Sequence, residues 1–178
     1  VKSRKPHRAA PPLSSATVGE MPVMLDVPLD GNISVEPRMA GPAGHQLVFT
    51  FDRPVNSVGT ITALTPDSQP AGALSHVIQG NVVIVTLTNL IAEQFRATVA
   101  IQGINGVDSA AVTIGFLPGD VNASGRVTAA DLIGLKGKIN SGQLITSGSN
   151  FLFDINLDGV IGNTDVTAVK ARSERMIP

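Results

Sequence analysis

A twelve-residue pattern occurs twice in the last third of this 178-residue chain, the copies 34 residues apart. Asp120-Val-Asn-Ala-Ser-Gly-Arg-Val-Thr-Ala-Ala-Asp131 recurs as Asp154-Ile-Asn-Leu-Asp-Gly-Val-Ile-Gly-Asn-Thr-Asp165. Identities fall at Asp120/Asp154, Asn122/Asn156, Gly125/Gly159 and Asp131/Asp165, and further on at Lys136/Lys170. Apolar character also repeats, at Val121/Ile155, Val127/Ile161, Leu132/Val166 and Leu135/Val169. A helix is predicted after each copy; in the first, Leu132, Leu135 and Ile139 share one face at the i, i+3, i+7 spacing. Two copies of one pattern are not an accident of composition.

The spacing carries a specific chemistry. Calcium is a hard cation that takes six to eight oxygens, and a twelve-residue loop can supply them from positions 1, 3, 5, 7, 9 and 12. In the first copy these are Asp120, Asn122, Ser124, the Arg126 carbonyl, Thr128 (directly or through water) and Asp131. In the second they are Asp154, Asn156, Asp158, the Val160 carbonyl, Gly162 (through backbone or water) and Asp165. Gly125 and Gly159 stand at position 6, where the chain must turn sharply. Val127 and Ile161 at position 8 are expected to point into the core. Asp and Asn also populate ordinary Asx turns, but a chance turn does not repeat with both glycines and all four terminal aspartates in place. Ca2+ at two sites is therefore expected, with the second site, which has three carboxylates to the first site's two, the stronger.

The preceding segment reads as all-β. Leu47, Phe49 and Phe51 alternate with polar or solvent-side neighbours, and so do Phe95, Ala97, Val99 and Ile101. Asn81–Thr88 is β-branched and nearly continuous in apolar character, as befits a central strand. Val112, Ile114 and Phe116 give a return strand after Asn105-Gly106, a hairpin dipeptide. Weaker strands are expected at Val58–Ala63, Ser75–Gln79, Pro22–Val27 and Ile33–Glu36, with a tight turn at Gly80-Asn81. This density of short strands suggests a β-sandwich of immunoglobulin-like architecture. The chain thus divides into a Pro-rich arm (1–14), an all-β immunoglobulin-like sandwich (15–117) and a small α-helical calcium-binding domain (118–178). The arm carries four basic residues and no acid, whereas 15–117 hold three basic and eight acidic residues. An extended arm reaching an oppositely charged surface is the expectation there, with Leu13, Val18, Met21, Val23 and Leu25 adding apolar contact and a strand at an exposed sheet edge, on a neighbouring copy or on their own domain.

Composition removes several function classes. Without Cys there is no disulfide, thiolate chemistry or Cys-ligated zinc. A formal charge of −1 gives the whole chain no attraction for nucleic acid. No apolar run approaches the roughly 18 residues of a membrane-spanning helix. His7, His45 and His76 lack metal spacing, and no nucleophile or phosphate-loop motif is present, so the chain is read as non-catalytic.

Residues 119–173 resemble a bacterial type I dockerin: the Gly-Asp-Val-Asn opening, the paired loops ending in Asp, and Lys136 and Lys170 five residues beyond each terminal Asp all fit. The resemblance implies two EF-hand-type loops, each followed but not preceded by a helix, related by approximate twofold symmetry. It implies a cohesin, itself a β-sandwich, as partner, recognised through Ala129-Ala130 or Asn163-Thr164 and residues near the Lys, here Gly137 and Ala171. An extracellular or cell-surface location follows from the same resemblance. The β-domain is similar to small domains preceding dockerins in secreted bacterial proteins. The expected function is a secreted calcium-binding structural protein that mediates extracellular assembly, by head-to-tail self-association into oligomers or fibres. The alternative is an anchoring region that docks onto a separate cohesin-like partner.

Overall fold

A computed structural model of the chain describes residues 1–8, 20–27, 33–142 and 150–178. Among them, nine strands precede the helices: β1 (Lys2–Arg8), β2 (Glu20–Asp26), β3 (Ser34–Glu36), β4 (His45–Thr50), β5 (Ile61–Leu64), β6 (Ala73–Gln79), β7 (Val82–Thr88), β8 (Phe95–Ile104) and β9 (Asp108–Phe116). They form one sheet in the order β2-β1-β4-β7-β6 and a second in the order β3-β9-β8-β5. All pairings are antiparallel except β3 with β9, which run parallel.

Period-2 alternation places the core. Leu47 and Phe49 of β4 lie opposite Val85 and Val83 of β7, while Ala97 and Val99 of β8 lie opposite Ile114 and Val112 of β9. These rows are buried and belong to a single apolar cluster drawn from both sheets, in which Phe95 stacks on Phe116. The run in β7 that reads as continuously apolar is sorted by the pleat: Val83, Val85 and Leu87 are buried, and Val82, Ile84 and Thr86 are half-buried. The β8–β9 hairpin turns through Asn105 and Gly106, whose φ angles of 49° and 89° are the left-handed values that dipeptide tolerates. The strand expected at Val58–Ala63 starts later, at Ile61.

The N-terminal arm requires correction. Lys2–Arg8 is not a free extension but strand β1, paired along its whole length with β2 and through Lys2–Arg4 with β4. Pro6 lies opposite Pro22, so the two residues that lack an N–H share one rung of the ladder. The strand was illegible because its residues are basic and non-alternating; pairing with distant segments, rather than propensity, makes it a strand. Residues 9–14 of the arm, Leu13 among them, and Val18 after it lie outside the described residues.

The C-terminal region holds α1 (Ala129–Asn140), a 3₁₀ turn (Asn150–Phe153) and α2 (Asn163–Lys170). Leu135, Val127, Ile155, Ile161, Val166 and Val169 make its core, with Leu132 and Ile139 packed at the edge. The β-region joins that core directly: Val35 of β3 and Leu117 are members of it. Gly119 N donates to Pro37 O at 2.8 Å and Met39 N to Ile155 O at 2.9 Å, so the segment after β3 runs between the two regions. Beside it, Arg38 and Glu36 form an ion pair with both side chains fully buried. No helix among the described residues is long and apolar enough to cross a membrane.

Candidate metal centre

The two repeats fold into loops with the same internal wiring. In the first, Asp120 Oδ1 accepts from Ser124 N at 2.9 Å and Oδ2 from Gly125 N at 2.7 Å. In the second, Asp154 Oδ1 accepts from Asp158 N at 3.1 Å and Oδ2 from Gly159 N at 2.9 Å. The residue at position 1 thus holds the amides of positions 5 and 6 in both copies. The twelfth residue clasps the two ends. Asp131 accepts from Asn122 N at 3.2 Å and Thr128 N at 2.8 Å, and Asp165 from Asn156 N at 3.2 Å and Gly162 N at 2.9 Å. Because these carboxylates also take amides at the start of each helix, they cap α1 and α2 while facing the loop.

The turn within each loop uses two left-handed residues. Gly125 and Gly159 have φ of 81° and 91°, as position 6 demands; position 4 is also left-handed, at Ala123 (56°) and Leu157 (65°). A residue with a Cβ costs about 1–2 kcal/mol in that conformation. The amide hydrogen bonds to the position-1 carboxylates offset this cost.

Burial and mutual repulsion act on the carboxylates of both loops. Asp120, Asp131, Asp154 and Asp165 are almost fully buried. Burial pushes the Asp165 carboxyl up to about 6, with the Asp154 charge adding to the shift and the amides of Gly162, Asn156 and Ile155 opposing it. Burial likewise raises Asp120, with the Asp131 charge adding and the Ser124 and Gly125 hydrogen bonds opposing. In the second loop, carboxylate oxygens of Asp154, Asp158 and Asp165 converge within 4.8 Å of one another. A convergent set of oxygens, two of its three carboxylates buried and with no nitrogen or sulfur donor, fits a hard divalent cation, and the residues present therefore fit calcium.

The remaining positions fall in the same two loops. Ser124 Oγ donates to Arg126 O at 3.0 Å, bringing positions 5 and 7 together. Thr128 is the N-cap of α1, its hydroxyl accepting from Ala130 N. Asp158 is exposed; Asn156 Nδ2 (2.8 Å) and Thr164 Oγ1 (3.1 Å) both donate to its Oδ2. Val160 N and Gly162 N are fixed by Asp158 and Asp165 respectively. Val127 and Ile161 are buried in the core, as their position predicts.

Three features around the loops escaped the sequence reading. The Glu36–Met39 segment braces Gly119 and Ile155 at the loop entrances. Glu93, before β8, binds Arg172 and Arg175 beyond α2. The final residues pair with the first loop: Glu174 N donates to Val127 O and Val127 N to Arg175 O. None of these has a local signature, because each joins residues far apart in sequence.

Comparison with curated proteins returns no match. Residues 118–172, about a third of the chain, match the family model of the dockerin type I domain, whose members bind calcium through paired EF-hand-like loops and serve as non-catalytic modules of protein–protein assembly, typically with cohesins.

Proposed function

We propose that the chain is a calcium-dependent docking protein whose α1 face binds a cohesin-type β-sandwich outside the cell. Its two calcium sites take the oxygens of Asp120, Asn122, Ser124, Arg126, Thr128 and Asp131, and of Asp154, Asn156, Asp158, Val160, Gly162 and Asp165. The carrying observation is Ile133, which is 72% exposed. It stands on the solvent face of α1 with exposed Ala129, Ala130, Lys136 and Gly137. The corresponding face of α2 offers Asn163, Thr164, Thr167, Lys170 and Ala171. A large apolar side chain among small neighbours suits a flat sheet, since the small residues let the partner approach and the isoleucine supplies buried area. The α2 face lacks that anchor, so one orientation of docking is favoured.

The β-region is read as an immunoglobulin-like sandwich (15–117) ahead of the calcium-binding domain (118–178). Two observations support that reading: a single core drawn from both sheets, and a short strand, β3, that leaves the first sheet's side to pair in parallel with β9.

Self-association is the second reading. It is favoured by the presence of a β-region and a dockerin region on one chain, and by edge strand β6, whose seven residues are largely exposed. A heterologous contact between the two would build open filaments when its rotation does not close. The pairing of β1 within its own sheet leaves Lys2–Arg8 no part in such a contact as a free arm.

Titrating a type I cohesin domain into the chain tests the proposal. Binding is expected in calcium, lost in chelator, and weakened at least tenfold by Ile133→Asp but not by Thr167→Asp. Equal binding by Ile133→Asp and the unaltered chain refutes the α1 face. Sedimentation without cohesin decides the second reading: a monomer at high concentration in calcium excludes it.

A further inference from the structure

The two loops differ in one structural respect beyond their ligands. Residues 125–127 of the first are paired with the chain's last residues, whereas the described residues give positions 6–8 of the second no such backbone partner. Glu174 N donates to Val127 O at 2.9 Å, Val127 N to Arg175 O at 2.8 Å, and Ile177 N to Gly125 O at 3.0 Å. Arg126 and Met176 sit opposite each other in an antiparallel bridge. The carbonyls of an extended chain alternate in direction. With Gly125 O and Val127 O both turned toward the tail, Arg126 O must face the other way, into the loop, where Ser124 Oγ lies 3.0 Å from it.

The tail is itself anchored on the β-region. Ile177 lies on β9 at Gly115, where any side chain would collide with its Cδ1, and Ile33 closes the same seat. Arg172 Nε donates to Glu93 Oε1 at 2.9 Å, and Arg175 Nη1 binds the other carboxylate oxygen. Glu174 reverses the chain after α2 in the left-handed region, at φ 68°. That conformation is disfavoured for a residue with a Cβ and needs the surrounding pairing to hold it.

We propose that Glu174–Pro178 is a positioning strap for the first calcium loop, and that through it the β-region sets calcium affinity at that loop. The strap holds the Arg126 carbonyl inward before the ion arrives, in the loop that has one carboxylate fewer. Among the described residues the second loop, with Asp158, has no such strap. Groups that orient metal ligands from outside the ligand set typically govern affinity by about 10–100-fold. Linkage also requires the reverse effect: calcium in the first loop must tighten the strap.

This inference rests on the calcium reading of the loops, and calorimetry of the full chain separates the two. The intact chain is expected to show two binding steps. Removing residues 174–178 should weaken the first-loop step at least tenfold and leave the second-loop step in place; Asp158→Ala, which weakens the second loop, assigns the steps. Gly115→Val alters only the seat on β9 and should weaken the same step. Hydrogen exchange at the Ile177 amide should slow when calcium is added. A merely structural tail would change both steps alike. Two unchanged steps in both variants overturn the strap, whereas absence of calcium binding by the intact chain overturns the metal reading with it.

Discussion

Arg38 Nε lies 2.6 Å from Glu36 Oε1, and its Nη2 donates to Oε2 at 2.7 Å, a bidentate pair two residues apart with no solvent exposure on either side chain. The Arg38 guanidinium also stands 5.0 Å from the Phe151 ring centroid, at the foot of the second loop. A desolvated pair of this kind contributes little over an apolar replacement, but breaking it strands a charge. Its position between the β-region and the helices makes it a register pin for the contact between them.

Removing one member should therefore cost far more than removing both. Arg38→Met or Glu36→Leu alone is expected to lower stability by about 3–5 kcal/mol. The double variant should lose less than the sum of the two. Urea unfolding of the three variants measures this; a loss below about 1 kcal/mol for either single change would show that water reaches the pair.

Glu93 should give the contact between β-region and tail an acid sensitivity. Burial alone would raise its carboxyl, but hydrogen bonds and charge from Arg172, then from Arg175, hold it below its ordinary value of 4.5. A lowered carboxyl in the fold stabilises fully above the unfolded value and loses that contribution as pH falls through the folded one. The loss is thus expected below pH 4.5. Glu93→Gln should remove it, so the variant and the parent converge in stability as acid is added. The gap between them near neutrality is small, about 1 kcal/mol or less for each partly exposed pair. A constant gap from pH 6 to 3 would refute the assignment.

Calcium should stabilise the C-terminal region by linkage. At free calcium a hundredfold above the dissociation constant, each site adds about 2.7 kcal/mol. Thermal unfolding with calcium and with chelator measures it, and identical transitions would argue against either site. The sites should also rank by carboxylate number. Asp158→Ala is expected to weaken the second loop, and Ser124→Asp to strengthen the first. If Ser124→Asp leaves both binding steps unaltered, Ser124 does not face the ion.

Deleting residues 1–8 should destabilise the β-region rather than free a tether. The deletion takes away the strand between β2 and β4, leaving β2 unpaired and the β4 edge open. A lowered melting temperature and increased light scattering are expected, because an exposed edge invites intermolecular pairing. An unchanged melting temperature would return these residues to the role of an arm.

Much of the chain was legible because its determinants are local. The repeat fixed both loops, their glycines and the inward positions Val127 and Ile161, since loop geometry depends on residues within twelve positions of one another. Strands β4, β8 and β9 were readable from alternation, which one buried face imposes on sequence, and β7 from its nearly unbroken β-branched run. Position 4 of each loop was not: Ala123 and Leu157 are left-handed without being glycine, held there by amide bonds to Asp120 and Asp154.

Tertiary structure decided what joins distant segments. Lys2–Arg8 became a strand only because β2 and β4 supply backbone partners for a sequence with no alternation of its own. Glu36 and Arg38 look like ordinary surface charges until β3 carries them beneath the helical region, where the two meet as a buried pair. Glu93 meets Arg172 and Arg175, 79 and 82 residues away, and Ile177 reaches the first loop because Gly115 leaves room on β9. Amino-acid pattern records what a residue needs from its neighbours along the chain; which distant group satisfies a charge, an amide or a cavity is settled only when the sheets and helices pack.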